Sequence, residues 1–370
     1  MIARILNIAW KELLHLRKDR VLIPFFIIGG IVELTLIAWA TNQPIDDIHT
    51  TIVDHDQSAQ STALIDALDD TSTLAHETSA NNAAAVRSKM HRDETVVGIV
   101  IPEGYAEDVE AGAFPTVRLI LNGAHSVKAQ EARRAIEEVT FEQGMRERFN
   151  MEPAEYAEML PQISVRYNED LERGWYTLPA ESGFIFYLFT VVLAALAITR
   201  EKEKGTYEQL LVMPYRSVEV IIGKALAPMV VGFALFLAMM GLTVFAFGVP
   251  FRGSLPLLMV LAIIYLVAEL GKGILMSMLS RTQLQAVLLV FVLAMVDMIF
   301  SGYAVAVETM PPFIRFLSNF VAIRHWLLIV RGIMLKDVGL SVLWPHVLAI
   351  IAIGTVILTF TATQYRRQAN

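Results

Sequence analysis

Six long apolar runs constrain this chain more than anything else in it. They cover roughly Val21–Ala40, Glu181–Ile198, Val220–Phe247, Leu255–Leu279, Leu284–Val307 and Val342–Thr363. A bilayer core of about 30 Å is crossed by about 20 helical residues, and each run is close to that length or longer. Within lipid the backbone must satisfy its own polar groups, so runs of this kind form helices. The expectation is an α-helical polytopic membrane protein with six transmembrane helices. The first run has a basic front, and Ala38-Trp39-Ala40 is like a signal-cleavage site. It is longer than the usual 7–15-residue apolar core of a signal peptide, and it contains Pro24 and Glu33, so it reads as an uncleaved anchor.

Charge orients these runs. Residues 41–180 hold 11 basic and 25 acidic residues, net −14, while the whole chain is −7. The rest is therefore basic, and its cations flank the runs: Arg4, Lys11, Arg17, Lys18 and Arg20; Arg200, Lys202, Lys204 and Arg216; Arg281; Arg366 and Arg367. With six alternating spans these groups fall on one side. The positive-inside rule makes that side cytoplasmic, with both termini there and the acidic block outside. An acidic outer block disfavours nucleic-acid binding. There is no cysteine, and hence no disulfide framework or thiol nucleophile.

The sequence divides into four parts. Residues 1–20 place Ile2, Ile5, Leu6, Ala9, Leu13 and Leu16 at helical spacing, with Arg4, Lys11, Glu12 and Lys18 on other faces. This predicts an amphipathic helix in the inner interface. Residues 21–40 form the first span. Residues 41–180 alternate β-branched runs (Ile48–Val53, Val96–Ile101, Val117–Leu121) with helical stretches (Ser58–Leu68, Asn81–Met90, Ala124–Phe149). This predicts a large external α/β or α+β domain between helices 1 and 2. Asp54-His55-Asp56 suggests a metal only superficially, because adjacent turn residues rarely face one ion; no metal or catalytic site is expected. Residues 181–370 hold five spans. Within them 308–341 is interrupted by Pro311-Pro312, Arg315, Arg324, His325, Arg331 and Lys336, and reads as an external re-entrant loop.

Residues 199–218 carry the functional argument. Thr206 and Gln209 have capping-box spacing, Gly205 allows a turn, and Pro214 stops a helix of barely two turns. Isolated helices that short are marginal in water, and Leu210, Leu211, Val212 and Met213 make this one apolar near its end. It needs a surface to dock on, lipid or protein; an ordinary well-capped loop is the plain alternative.

Glu201, Glu203, Lys204, Gly205, Thr206, Glu208, Leu210, Pro214, Gly223 and Lys224 together resemble the intracellular segment of ABC-2 type transporter permeases, the membrane subunits of ABC exporters that include multidrug-efflux permeases. The likeness continues through Trp10–Leu14 with Lys18–Arg20, Val53–Asp56 with Ser58 and Ser61, Arg166–Asn168, Phe300–Gly302, Met310-Pro311 and Arg331-Gly332. The chain departs at Glu169, Ala180 and Ala306, where the family often has Pro, Gly and Pro. The resemblance implies export driven by a separate cytosolic ABC ATPase, with ATP and Mg bound there and no cofactor on this chain. It implies a homodimer or a heterodimer with a related permease in a bacterial inner membrane, and room for a periplasmic adaptor or membrane-fusion protein. Residues 199–218, with Leu211 included, would couple to the ATPase, and residues 1–20 would form the family's elbow helix. Consistently, Gly223-Lys224 and Gly271-Lys272 lack the earlier Gly and the hydroxyl residue of a phosphate loop. Two alternatives stay open: a membrane-anchored receptor or assembly factor with a ligand-binding outer domain, and an intramembrane enzyme.

Charges inside spans cost about 2.5–3.5 kcal/mol each on insertion scales and so face cavities or partners. Glu269 and Lys272, three apart on one helix, pair as a structural couple. Glu33 and Asp297 have no local partner; each either lines a substrate path or bonds across a helix interface. Glu181 is placed at the outer boundary.

Overall fold

The computed structural model describes residues 1–370 except 114, 150, 152–154, 156–163, 165, 213–214, 304 and 370. The chain forms two compact units, Met1–Asn42 with Val165–Asn370, and Gln43–Ser164.

The first unit is helical. Helix α1 (Ile2–Lys18) precedes α2 (Leu22–Thr41). The break between them is capped by Asp19, whose carboxylate accepts from the amides of Val21 (3.3 Å) and Leu22 (2.9 Å). An oxygen-bearing side chain ahead of a helix satisfies its orphan amides in this way. The remaining helices of this unit are α7 (Arg173–Glu203), α8 (Tyr207–Val212), α9 (Ser217–Gly241, continued by a π-turn at Leu242–Ala246), α10 (Leu255–Leu279), α11 (Gln283–Phe300), α12 (Pro312–Ser318), α13 (Ala322–Lys336) and α14 (Leu340–Ala369). Six helices among the described residues are long and apolar enough to cross a membrane. Helices α12 and α13 are bent by 78° at a short break and make a seventh crossing only if taken as one span.

Helix α7 is the axis of this unit, with 89% of its apolar window buried, against 17% for α2 and for α14. The domain boundary expected at 180 falls inside α7, which continues through Pro179. Polar residues open its first turns, so apolar composition begins well after the helix does. Helix α10 packs against α7 through small residues. A Cβ on Gly273 would lie 2.5 Å from Ala194 Cβ, and Ser277 Oγ accepts the amides of Ile198 and Thr199, both at 2.9 Å. Without a hydrophobic drive between helices in lipid, such close approach is what holds them together.

The second unit has β1 (Ile48–Asp54), α3 (Ala59–Asp69), β2 (Leu74–Ser79), α4 (Ala83–His91), β3 (Val97–Ile101), α5 (Tyr105–Glu110), β4 (Arg118–Leu121) and α6 (Ser126–Phe149). The sheet order is β2-β1-β3-β4, with β1 parallel to β2 and to β3 and β4 antiparallel to β3. Ile48, Ile52, Leu64, Leu68, Val97, Ile99, Ile101 and Ile136 form its main core. Two elements go beyond the sequence expectation. Strand β2 contains His76 and Glu77 and lies at the sheet edge, and α5 is a short helix entered through Gly104 in the left-handed region (φ 79°). Asp54 is built into its turn: Oδ1 accepts from the amides of Asp56 (3.0 Å) and Gln57 (3.1 Å), and Oδ2 from Ser61 Oγ (2.8 Å). Asp56 is held below the usual carboxylate range by the Ser58 side chain, helped by the amides of residues 104–106.

Adding a methyl group at Gly273 forces α7 and α10 apart and should cost about 1–3 kcal/mol, the usual penalty of overpacking. Gly273→Ala is thus expected to lower the thermal midpoint of the detergent-solubilised protein. Gly29→Ala, where nothing lies within 4 Å, is expected to leave it unchanged or slightly raised.

Candidate functional site

Helix α7 ends in a turn that determines everything around it. The Thr206 amide donates to Glu201 O (3.0 Å) and the Gly205 amide to Lys202 O (3.2 Å), with Gly205 at φ 68°. This is a Schellman termination, which a glycine enters without steric cost. The Thr206 amide is therefore engaged by Glu201 rather than by the side chain of Gln209. The Thr206 hydroxyl turns back and donates to the Glu201 carboxylate. Helix α8 starts at the next residue, so the residue that precedes it, Thr206, is tied to the end of α7.

Glu201 is 8% exposed and faces inward. Its Oε1 accepts from Lys11 Nζ of α1 (3.2 Å) and Lys224 Nζ of α9 (3.3 Å). Lys224, 1% exposed, also donates to Glu12 Oε1 (2.6 Å) and Ala197 O (2.8 Å), so all three of its N–H groups have acceptors. Glu12 is 4% exposed, whereas the sequence placed it on a polar face of α1. The buried stripe of that helix is Ile5, Ile8, Glu12 and Leu16, and Glu12 belongs to it because it meets a buried cation. Ile2, Leu6 and Trp10 remain exposed on α1. Gly223 lets α1 and α9 come this close, since a Cβ there would lie 2.7 Å from Ile8 Cβ. A cavity of about 210 Å³ opens beside the cluster, lined in part by Lys11, Glu12, Thr206 and Gln209.

Neighbouring residues tie α7 to the next spans. Lys202 Nζ donates to the last carbonyls of α10, Met278 O at 2.7 Å and Ser280 O at 3.0 Å, where a cation suits the helix dipole. The Glu203 carboxylate accepts from the Gln283 amide (2.7 Å) and side chain at the start of α11. Glu219 accepts from the Arg216 amide (2.9 Å) and starts α9. Of the residues singled out from sequence, Glu201, Glu203 and Thr206 thus bond within the chain. Lys204, Gly205 and Glu208 are exposed, Leu210 and Leu211 lie in α8, and Pro214 lies outside the described residues. Lys11, Glu12 and Lys224 complete the cluster. The Gly-Lys pair at 223–224 belongs to the sequence resemblance, whereas Glu12 reads from sequence only as a polar-face residue of α1.

The charges within spans form a second cluster. Lys272 Nζ lies 2.9 Å from Glu269 Oε2 and 2.9 Å from Asp297 Oδ2, and the Tyr187 hydroxyl donates to that same Asp297 oxygen (2.5 Å). Asp297 is 4% exposed and Glu269 fully buried. Asp297 bonds across helix interfaces, one of the two readings left open for it: its partners Lys272 of α10 and Tyr187 of α7 are not local in sequence. Glu33 stands apart, on the exposed face of α2. Glu181, placed at the outer boundary from sequence, is 1% exposed and accepts from the Tyr303 hydroxyl.

Comparison with known proteins agrees with this architecture. Residues 21–363 match the family described as ABC-2 family transporter protein. The chain is similar to the probable multidrug ABC transporter permease YbhR of Escherichia coli, 26% identical over 370 residues covering all of both chains. It is also similar to the inner membrane transport permease YhhJ of Escherichia coli, 26% identical over 98% of this chain and 97% of the relative. ABC transporter G family member 23 of Dictyostelium discoideum is 29% identical over 51% of this chain and 28% of its own length.

Removing Lys224 takes the cation from Glu12 and one of two from Glu201, and breaking a buried pair from one side costs about 3–5 kcal/mol. Lys224→Met is expected to lower the thermal midpoint sharply, and Lys224→Met/Glu12→Leu to recover part of the loss. In the second cluster Lys272→Met is expected to be more damaging than Tyr187→Phe, which leaves Asp297 its ion pair and costs about 1–3 kcal/mol. Thermal unfolding of the purified variants checks both orders.

Proposed function

The chain belongs to the ABC-2 family of transporter proteins, and on that premise we propose that residues 199–218 receive the stroke of a separate ABC ATPase and pass it into the spans. The chain is the membrane permease subunit, and its energy comes from ATP used by the partner. ATP and Mg bind on that partner, and this chain performs no catalysis of its own. Helix α8 is the coupling helix. Lys204, Glu208 and the apolar end of α8, with Leu210, Leu211 and Pro214, are its docking elements.

One observation carries this reading: the chain of bonds from Thr206 through Glu201 to Lys224 and Glu12. A push on α8 meets α7, α9 and α1 together, and they respond as one body rather than bending at a loop. Two such permeases, identical or related, enclose the pathway. Both termini and residues 199–218 face the cytoplasm, because the basic residues cluster there. The α/β unit lies outside, where it docks a periplasmic adaptor. Residues 308–341 are a re-entrant outer loop, which their 78° bend favours. Amphipathic, drug-like compounds are the substrates, in line with the multidrug names of relatives. Glu33 faces the pathway, while Glu269, Lys272 and Asp297 brace its wall.

The test is co-purification with the cognate ABC ATPase. Leu210→Asp/Leu211→Asp is expected to abolish the complex or its permease-stimulated ATP hydrolysis while the permease still folds, as judged by its thermal midpoint. A complex of full affinity and full stimulated hydrolysis would refute the role of α8.

A further inference from the structure

A second cavity, of about 360 Å³, lies on the other side of the α7 terminus and is lined by His15, Lys18, Asp19, Arg200, Lys204 and Gln283. Three elements supply it: the end of α1, the end of α7 and the first residue of α11. Its charge is one-sided. Asp19 Oδ2 lies 3.6 Å from Arg200 and accounts for that one cation. Among the described residues no carboxylate pairs with Lys18 or Lys204, so two ammonium groups stand uncompensated around one hollow. His15 is held below its ordinary value chiefly by burial, with lesser help from Lys11, Lys204 and Arg200 against the pull of Glu12.

Depth decides what such a hollow would meet. Asp19 accepts the first amides of α2, Arg200 follows the last buried apolar residues of α7, and Gln283 opens α11 just before Leu284. All three positions are span ends on the basic side of the chain, the level at which lipid phosphates lie. The exposed apolar residues Ile2, Leu6 and Trp10 of α1 suit the same interfacial plane.

We propose that this cavity binds a phosphate-bearing anion through Lys18, Lys204 and Arg200, its source being an anionic phospholipid headgroup of the inner leaflet. A phosphate offers several acceptor oxygens to donors converging from the ends of α1 and α7. Occupancy would also bear on coupling, since Lys204 immediately precedes the Gly205 turn and Glu203 already bonds Gln283 at the cavity edge. The site depends on α2, α7 and α11 being spans, not on α8 being the coupling helix, so either reading can fail without the other.

The experiment uses the delipidated, purified full-length permease and follows binding by native mass spectrometry and by thermal midpoint. The probes are phosphatidylglycerol, phosphatidylcholine and inorganic phosphate. Wild type is expected to bind phosphatidylglycerol and be stabilised by it, and phosphatidylcholine much less. Lys18→Gln/Lys204→Gln is expected to weaken that binding about thirtyfold. Lys18→Arg/Lys204→Arg is expected to retain it, which separates loss of charge from loss of fold. Saturable, variant-sensitive stabilisation by inorganic phosphate would keep the site and make a free anion its source. Equal binding of phosphatidylglycerol by wild type and the Gln variant overturns the proposal. So does loss of ATPase co-purification in that variant with lipid binding unchanged, which would assign these cations to the protein partner.

Discussion

The ammonium group of Lys224 is the point on which the cytoplasmic end of this molecule turns. An unpaired cation that is 1% exposed would be very costly, and it persists because Glu12, Glu201 and a backbone carbonyl converge on it from two other helices. The demand works in both directions, since Glu12 and Glu201 are themselves buried and need it. Helices α1, α7 and α9 are therefore locked by a polar requirement, where apolar packing in lipid would let them slide. The lock sits directly beneath the Gly205 turn that launches α8.

That arrangement gives the family's charged segment a physical meaning. Glu201 and Glu203 look from sequence like a solvated approach to a partner. In the structure each is used inside the chain, Glu201 on Lys11, Lys224 and Thr206, Glu203 on the start of α11. Lys202 adds a third tie, to the end of α10. The end of α7 thus connects four other helices, and α7 is also the most buried of the spans. A displacement delivered to it reaches the bundle without crossing a flexible joint.

The spans were legible because each is a long apolar run, and lipid leaves such a run no alternative to a helix. The charged pair Glu269 and Lys272 was legible because its spacing is local. Asp297 was not, because its partners Lys272 and Tyr187 come from other helices, and Tyr187 is 110 residues away. Glu12 was missed for another reason. It falls at helical spacing with Ile5, Ile8 and Leu16, but a carboxylate is assigned to a wet face unless a buried cation is known to await it. In the α/β unit β2 escaped notice because an edge strand with His76 and Glu77 lacks the apolar run of β1 and β3.

On the proposed function, motion enters through α8 and travels by way of Glu201. The most direct measurement compares ATP hydrolysis and substrate export by the reconstituted transporter carrying Glu201→Gln, which keeps the shape and removes the charge that holds Lys11 and Lys224. If motion takes that route, hydrolysis continues while export per ATP falls several-fold. Export per ATP equal to that of the wild type would contradict it.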